Sequence, residues 1–277
     1  MKMTILCKGR LLDLSNPIVM GILNLTPDSF FDGGQYTHVD AILRQAEKML
    51  QEGASLLDLG GASSRQGAAE VPEAEEMRRV LPAVAGILQR FPEAILSIDT
   101  WRASVAEAAI DAGAHIINDI SGGALDANMF ATAGKLQAPY ILMHMQGTPQ
   151  TMQQQPHYED VVTEVLDYFI EKTARLRASG VKDIVLDPGF GFGKTVEHNY
   201  TLLKHLHVFE SVLGLPVLAG LSRKSMICKP LGISPENALN GTTAVHMVAL
   251  QQGARILRVH DVREAMEVIR LWPLVKA

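Results

Sequence analysis

Polar side chains stand at the end of one short apolar run after another in this sequence. Asn24 follows the run 18–23, Asp58 sits near the end of 55–59, and Asp99 follows 94–98. Asn118 and Asp119 close 115–118, His144 follows 140–143, and Asp187 ends 183–186. Ser222 lies just beyond 216–219, and Arg258 and His260 close 256–259. One such residue can be an ordinary turn cap, but the same phase at every run marks a site. The chemistry on offer is recognition: carboxylates and amides for a fixed edge of donors and acceptors, cations for an anion. No side-chain nucleophile with a paired base is apparent in these motifs.

The loops beyond the runs sharpen this picture. Residues 24–34 form a long, glycine-ended first loop suited to act as a lid. Residues 187–195 bring a carboxylate, two aromatic rings and glycines together. Residues 220–225 lead into a helix, where Ser222 is expected to cap and free N–H groups could receive an anion.

Elements must position these residues. The runs are short, rich in β-branched residues and little alternating, as parallel strands buried on both faces are. Helical patterns lie between them over 38–52, 73–90, 158–179 and 236–252, with Gly53, Gly180 and Gly253 as stops. A repeated phrase at 52–54, 112–114, 179–181 and 252–254 ends a helix just before the next strand. Eight such units in 277 residues favour one closed (β/α)8 TIM barrel over an open doubly wound sheet. A hairpin over 3–7 and 10–13 precedes the barrel, and no linker interrupts residues 1–277, so a single domain is expected. Active sites of such barrels lie at the C-terminal ends of the strands, where these polar residues fall.

Bulk composition narrows the class. Net charge is −5 with acids and bases interspersed, which argues against a nucleic-acid partner. Cys7 and Cys228 form no CxxC pattern, so a reducing compartment is expected. The N-terminus lacks a signal-peptide pattern, and no stretch reaches the roughly 20 apolar residues of a membrane helix. A soluble, cytoplasmic protein is expected.

Seven phrases in order carry a resemblance: GILNLTPDSFFDGG at 21–34, DLGGASSRQGA at 58–68, SIDT at 97–100, NDISGG at 118–123, DPGFGFGKT at 187–195, GLSRKSMI at 220–227 and RVHDV at 258–262. Together they resemble the dihydropteroate synthase family over essentially the whole chain. The resemblance implies condensation of 6-hydroxymethyl-7,8-dihydropterin diphosphate with p-aminobenzoate by a dissociative substitution, in folate synthesis. It implies pterin contacts from Asp99, Asn118, Asp187 and Lys224, with Lys224, Arg258, His260 and Asp99 serving catalysis. Asn24, Ser64, Arg65, Arg258 and His260 are the implied diphosphate cradle, with Mg²⁺ held by Asn24 and diphosphate oxygens. Thr26, Pro27, Phe30, Ser63, Ser64, Arg65, Phe192, Lys224 and Ser222 are the implied p-aminobenzoate residues. A homodimer through late barrel helices is also implied. His144 and Asp58 receive no role.

The sequence departs from the family pattern at one end of the site. The second loop, usually Gly-Gly-Glu-Ser-Thr-Arg-Pro-Gly, here has Ala62, Ser64 and Gln66, and the first loop has Phe31 in place of a small Ser. Gln66 loses the fixed φ of proline, so altered p-aminobenzoate affinity and weaker sulfonamide inhibition are expected. Gln66→Pro should change both; unchanged KM and inhibition sink the idea. Two rivals stand beside the synthase: a methyltetrahydrofolate-dependent methyltransferase and a non-catalytic pterin-binding paralogue. Other signals carry less. Residues 189–195 lack the first glycine of a P-loop. His205 and His207, two apart on an expected helix, share no face.

Overall fold

The computed structural model describes residues 3–25, 35–62, 71–152 and 156–275. It opens on a hairpin of β1 (Thr4–Cys7) and β2 (Arg10–Asp13), turned by Lys8 at φ 47° and Gly9 at φ 84°. Two successive positive φ values give a turn whose twist matches that of the strands. Among the described residues, eight parallel strands follow: β3 (Ile18–Asn24), β4 (Leu56–Gly60), β5 (Leu96–Asp99), β6 (Ile116–Asp119), β7 (Tyr140–Met143), β8 (Ile184–Asp187), β9 (Leu218–Ala219) and β10 (Ile256–Val259). Their order is β8-β7-β6-β5-β4-β3-β10-β9. The ring closes where Leu186 bridges Val217 and its N–H donates to the Pro216 carbonyl at 2.9 Å. The closed barrel expected from the eight repeats is therefore the fold, hairpin included.

Helices return each strand to the next. They are α1 (Gln35–Glu52), α2 (Glu73–Arg90), α3 (Ala103–Asp111), α4 (Met129–Leu136), α5 (Val161–Ala178), α6 (Val196–Lys204), α7 (His207–Leu213), α8 (Ser225–Leu231), α9 (Leu239–Gln251) and α10 (Val262–Val275). The repeated glycines do end helices, with φ of 106° at Gly53, 119° at Gly113, 97° at Gly180 and 92° at Gly253. Three expectations need correction. The helix expected over 158–179 starts later, because Asp160 caps it by accepting from the N–H groups of Val162 and Thr163, both at 2.9 Å. The one expected over 236–252 is split, with a 3₁₀ turn at Pro235–Asn237 before α9. His205 and His207 share no helix, since α6 stops at Lys204 and α7 starts at His207. Among the described residues, no helix is long and apolar enough to cross a membrane.

Strand parity decides what reaches the site. Side chains alternate across a strand, so residues two apart share a face. Leu57, Leu59, Ile98, Ile117, Leu142, Leu186, Leu257 and Val259 face outward and pack with the helices. Met20, Leu56, Ile116, Ile141, Val185, Leu218 and Ile256 face inward, and the hairpin's Ile5, Cys7, Leu12 and Leu14 join them. That apolar layer plugs the N-terminal end. Two residues further along the same inward face stand Asp58, Asn118, Asp187 and Arg258. The floor is apolar and sealed; the next layer up is polar.

Candidate active site in the barrel mouth

The inward polar layer forms three clusters. In the first, Arg258 donates from Nε to Asp58 Oδ2 at 2.6 Å and from Nη2 to Asp99 Oδ2 at 2.7 Å. Asn118 Nδ2 donates to the same Asp58 oxygen at 3.0 Å. Burial pushes the Asp99 carboxyl up to about 7; Arg258 opposes this, while the negative charges of Asp58, Glu76 and Asp119 add to it. Asp99 thus titrates in the range where a ligand-binding carboxyl can change its proton count.

A stability test follows, because the folded pKa of Asp99 is raised above its ordinary 3.8. Its contribution to stability is complete below that value and is lost as pH rises through about 7. The stability of the native protein relative to Asp99→Asn should therefore fall between those limits. Urea unfolding of both proteins across that range checks it, and a flat difference refutes it.

In the second cluster, Asp187 Oδ1 accepts from the Gly189 N–H at 2.8 Å, and burial raises its carboxyl. Lys224 is held close by: a Cβ added at Gly220 would lie 3.6 Å from Lys224 Nζ and 3.9 Å from Asp187 Oδ2. Lys224 Nζ donates to the Phe190 carbonyl and lies 4.8 Å from the centre of the Phe192 ring. Burial lowers its pKa to about 8, with Asp187 resisting the drop. The neighbouring Arg223 turns away from the site at φ 57° and makes a two-pronged pair with Asp261, at 2.8 Å from Nε and 2.7 Å from Nη2. That pair anchors a left-handed residue that sterics disfavour. The third cluster joins Ser222 Oγ to His260 Nδ1 at 3.0 Å, and the His260 N–H also donates to Ser222 Oγ at 3.2 Å.

The clusters revise several expectations. Ser222 caps no helix: α8 begins at Ser225 with Lys224 as its cap residue, and the Ser222 hydroxyl engages His260 instead. Asn118 and Asp119, adjacent at one strand end, part company. Asp119 faces outward and accepts from Ser121, Gly123 and the Tyr140 hydroxyl behind the barrel wall. Asn24 ends β3 half-buried, in register with Gly60. Thr26, Pro27, Phe30, Ser63, Ser64, Arg65 and Gln66 lie outside the described residues.

Sequence reasoning gave Lys194 no role, yet it ties two loops together. Its buried Nζ lies 2.9 Å from His144 Nδ1 and donates to the carbonyls of Gly189 at 3.1 Å and Phe192 at 3.0 Å. Burial lowers the Lys194 pKa to about 7 and drives that of His144 well down, so the ring is neutral and Nδ1 accepts. The loop that carries Phe190 and Phe192 to Lys224 is thus fastened to the loop after β7. Gly189 sits at the joint with φ 68°, where an added Cβ would fall 1.9 Å from the His144 carbonyl oxygen. Gly189→Ala should lower unfolding free energy by about 2–3 kcal/mol. Urea melts check this, and a change under about 0.5 kcal/mol refutes it.

The chain is similar to known proteins over nearly its whole length. The family described as pterin binding enzyme matches residues 20–260. The dihydropteroate synthase of Escherichia coli (strain K12) is 48% identical over 275 residues, covering 97% of this chain and 95% of that relative. A crystal structure of Yersinia pestis dihydropteroate synthase with a sulfonamide drug complex is 45% identical, with a TM-score of 0.92 and 98% of both chains covered. The Xanthomonas albilineans dihydropteroate synthase in complex with 7,8-dihydropteroate is 39% identical, with a TM-score of 0.88, covering 99% of this chain and 98% of that one. Such agreement runs nearly end to end in sequence and in fold, and the chain therefore belongs to the dihydropteroate synthase family of pterin-binding enzymes.

Proposed function

We propose that this chain joins 6-hydroxymethyl-7,8-dihydropterin diphosphate to p-aminobenzoate, releasing diphosphate and forming 7,8-dihydropteroate. The observation that carries the reading is the placement of buried Asp187 and the Lys224 ammonium together beside Gly220, on the polar layer that also holds Asn118 and Asp99. Asp187 accepts from the pterin's ring N–H and amino group, and Lys224 donates to the ring carbonyl and N5. Asn118 and Asp99 complete the recognised edge. In a site closed to water these contacts fix the ring before any bond breaks.

The diphosphate then leaves and the amine attacks the resulting pterin-methylene cation. Asn24, Ser64, Arg65, Arg258 and His260 bear on the departing charge, which is where such a site gains most of its rate. Thr26, Pro27, Phe30, Ser64, Arg65, Phe192 and Ser222 receive p-aminobenzoate. The donor set fits a Mg²⁺ ion held chiefly by substrate: Asn24 offers one hard oxygen ligand, and no group of three metal-binding side chains occurs among the described residues. Bound there, the ion would neutralise charge on the diphosphate oxygens. We also propose a homodimer, supported by exposed Leu271, Leu274 and Val275 on α10 and Val248 on α9.

Diphosphate release with both substrates tests the activity. Of the three readings, only the synthase releases it. Pterin binding without release favours the non-catalytic reading, and methyl transfer from methyltetrahydrofolate to a corrinoid favours the methyltransferase. The mass in solution tests the dimer.

A further inference from the structure

Asp58 has no place in the functional reading above, yet it is the most deeply buried acid in the mouth. Its side chain is 0% exposed, against 11% for Asp99 and 20% for Arg258. A carboxylate withdrawn from water costs several kcal/mol unless partners offset it. The same inward layer is apolar on other strands, at Ile22 and Met143, so the barrel does not need an acid at this height. Asp58 Oδ2 receives both Arg258 Nε and Asn118 Nδ2, whereas Oδ1 has no protein partner. One oxygen thus links β10, β4 and β6 across the barrel.

We infer that Asp58 is a positioning residue that fixes which end of the Asn118 amide meets the pterin and holds the Arg258 guanidinium in one orientation; this rests on the synthase reading. The argument is one of hydrogen-bond polarity. An ionised carboxylate can only accept, so the amide beside it must turn its NH₂ inward. The Asn118 carbonyl oxygen is then committed to the other side, as an acceptor for a ring N–H. A neutral amide offers no such rule, and Asn118 could present either end. Arg258 is likewise gripped at two points, Nε on Asp58 and Nη2 on Asp99, and two acceptors define the plane of a guanidinium where one leaves it free to pivot. Asp58 thus contacts one partner that faces the ring, Asn118, and one that faces the diphosphate, Arg258.

The test uses Asp58→Asn, which keeps the shape and removes the charge. Binding of 6-hydroxymethylpterin, followed by its fluorescence, is expected to weaken about 10- to 100-fold, as for loss of a charged hydrogen bond. The KM for p-aminobenzoate is expected to stay within about threefold, because the affected hydrogen bonds lie at the pterin end. In an Asn118→Ala background, Asp58→Asn is expected to have a clearly smaller effect on pterin binding, since one of its two routes is already gone. Equal losses in both backgrounds, or unchanged pterin binding, overturn the inference.

A second measurement needs no change at Asp58 and no ligand. In the native protein labelled with ¹⁵N-asparagine, the Asn118 side-chain amide, assigned by its disappearance in Asn118→Ala, is expected to show one strongly downfield proton. Two ordinary amide protons there overturn the inference even if Asp58→Asn does not fold. Absence of diphosphate release by the native enzyme would count against the synthase reading, and leaves this spectroscopic outcome to decide the Asp58–Asn118 contact.

Discussion

Asp187→Asn lowers kcat/KM for the pterin diphosphate by about 10²- to 10³-fold, with the fold retained. The carboxylate serves two neighbours at once. It accepts from the Gly189 N–H, and it offers Lys224 an anionic partner within a buried pocket. An amide in its place can keep only one of these arrangements. With its oxygen toward Gly189, it turns NH₂ toward Lys224 and toward the ring's own donors. A site built to hydrogen-bond a ligand edge loses most when one of its groups has the wrong polarity. Losing two hydrogen bonds to a charged group, at roughly 1.5–2 kcal/mol each, gives the stated range. Steady-state diphosphate release checks the rate, and circular dichroism checks the fold. A loss below about fivefold would remove Asp187 from the centre of the site.

Arg258→Met has the largest expected effect on stability, a loss of about 3–5 kcal/mol at neutral pH. The guanidinium holds two acids, Asp58 and Asp99, that are almost wholly withdrawn from water. A methionine fills much of the volume but leaves both carboxyls without their cation. Breaking one side of a buried pair is costly because the other side stays buried and charged. The loss should shrink in acid. Asp99 already has its carboxyl raised to about 7 with Arg258 present; without the cation it holds its proton to higher pH still. Protonation then relieves the uncompensated charge. Urea unfolding at a pH well below 7 and another well above it measures both effects. A loss under about 1 kcal/mol at the higher pH would show the pair to be marginal.

Much of this site was legible in the sequence because strand ends in a barrel share one spatial address. The repeating position of Asp99, Asn118, Asp187 and Arg258 was enough to bring them together on paper, and Lys224 came with its phrase. What the pattern could not supply was which way each side chain points. Asp58 and Asp119 look alike as strand-end acids, yet one faces the barrel axis and the other faces the helices. That distinction depends on parity relative to the inward apolar layer, which needs the exact strand limits. Lys194 was hidden for a different reason. Its partners, His144 and the carbonyls of Gly189 and Phe192, come together through the paths of two loops, and no periodicity encodes a loop path. Helix boundaries erred where local caps intervened, at Asp160 and at Pro235–Asn237.

The plug of hairpin and inward apolar side chains has a consequence for traffic. A barrel stoppered at its N-terminal end is a blind alley, with one doorway for everything that enters or leaves. The polar layer proposed to read the pterin lies directly above the stopper, and β3 and β4 end at the doorway side. A molecule bound nearer the doorway blocks the passage behind it. On the proposed reaction, the deeper ligand therefore arrives first, and the diphosphate passes outward before or around the incoming amine. Queueing of this kind comes from the shape of the container, and it holds whatever the relative affinities of the two guests.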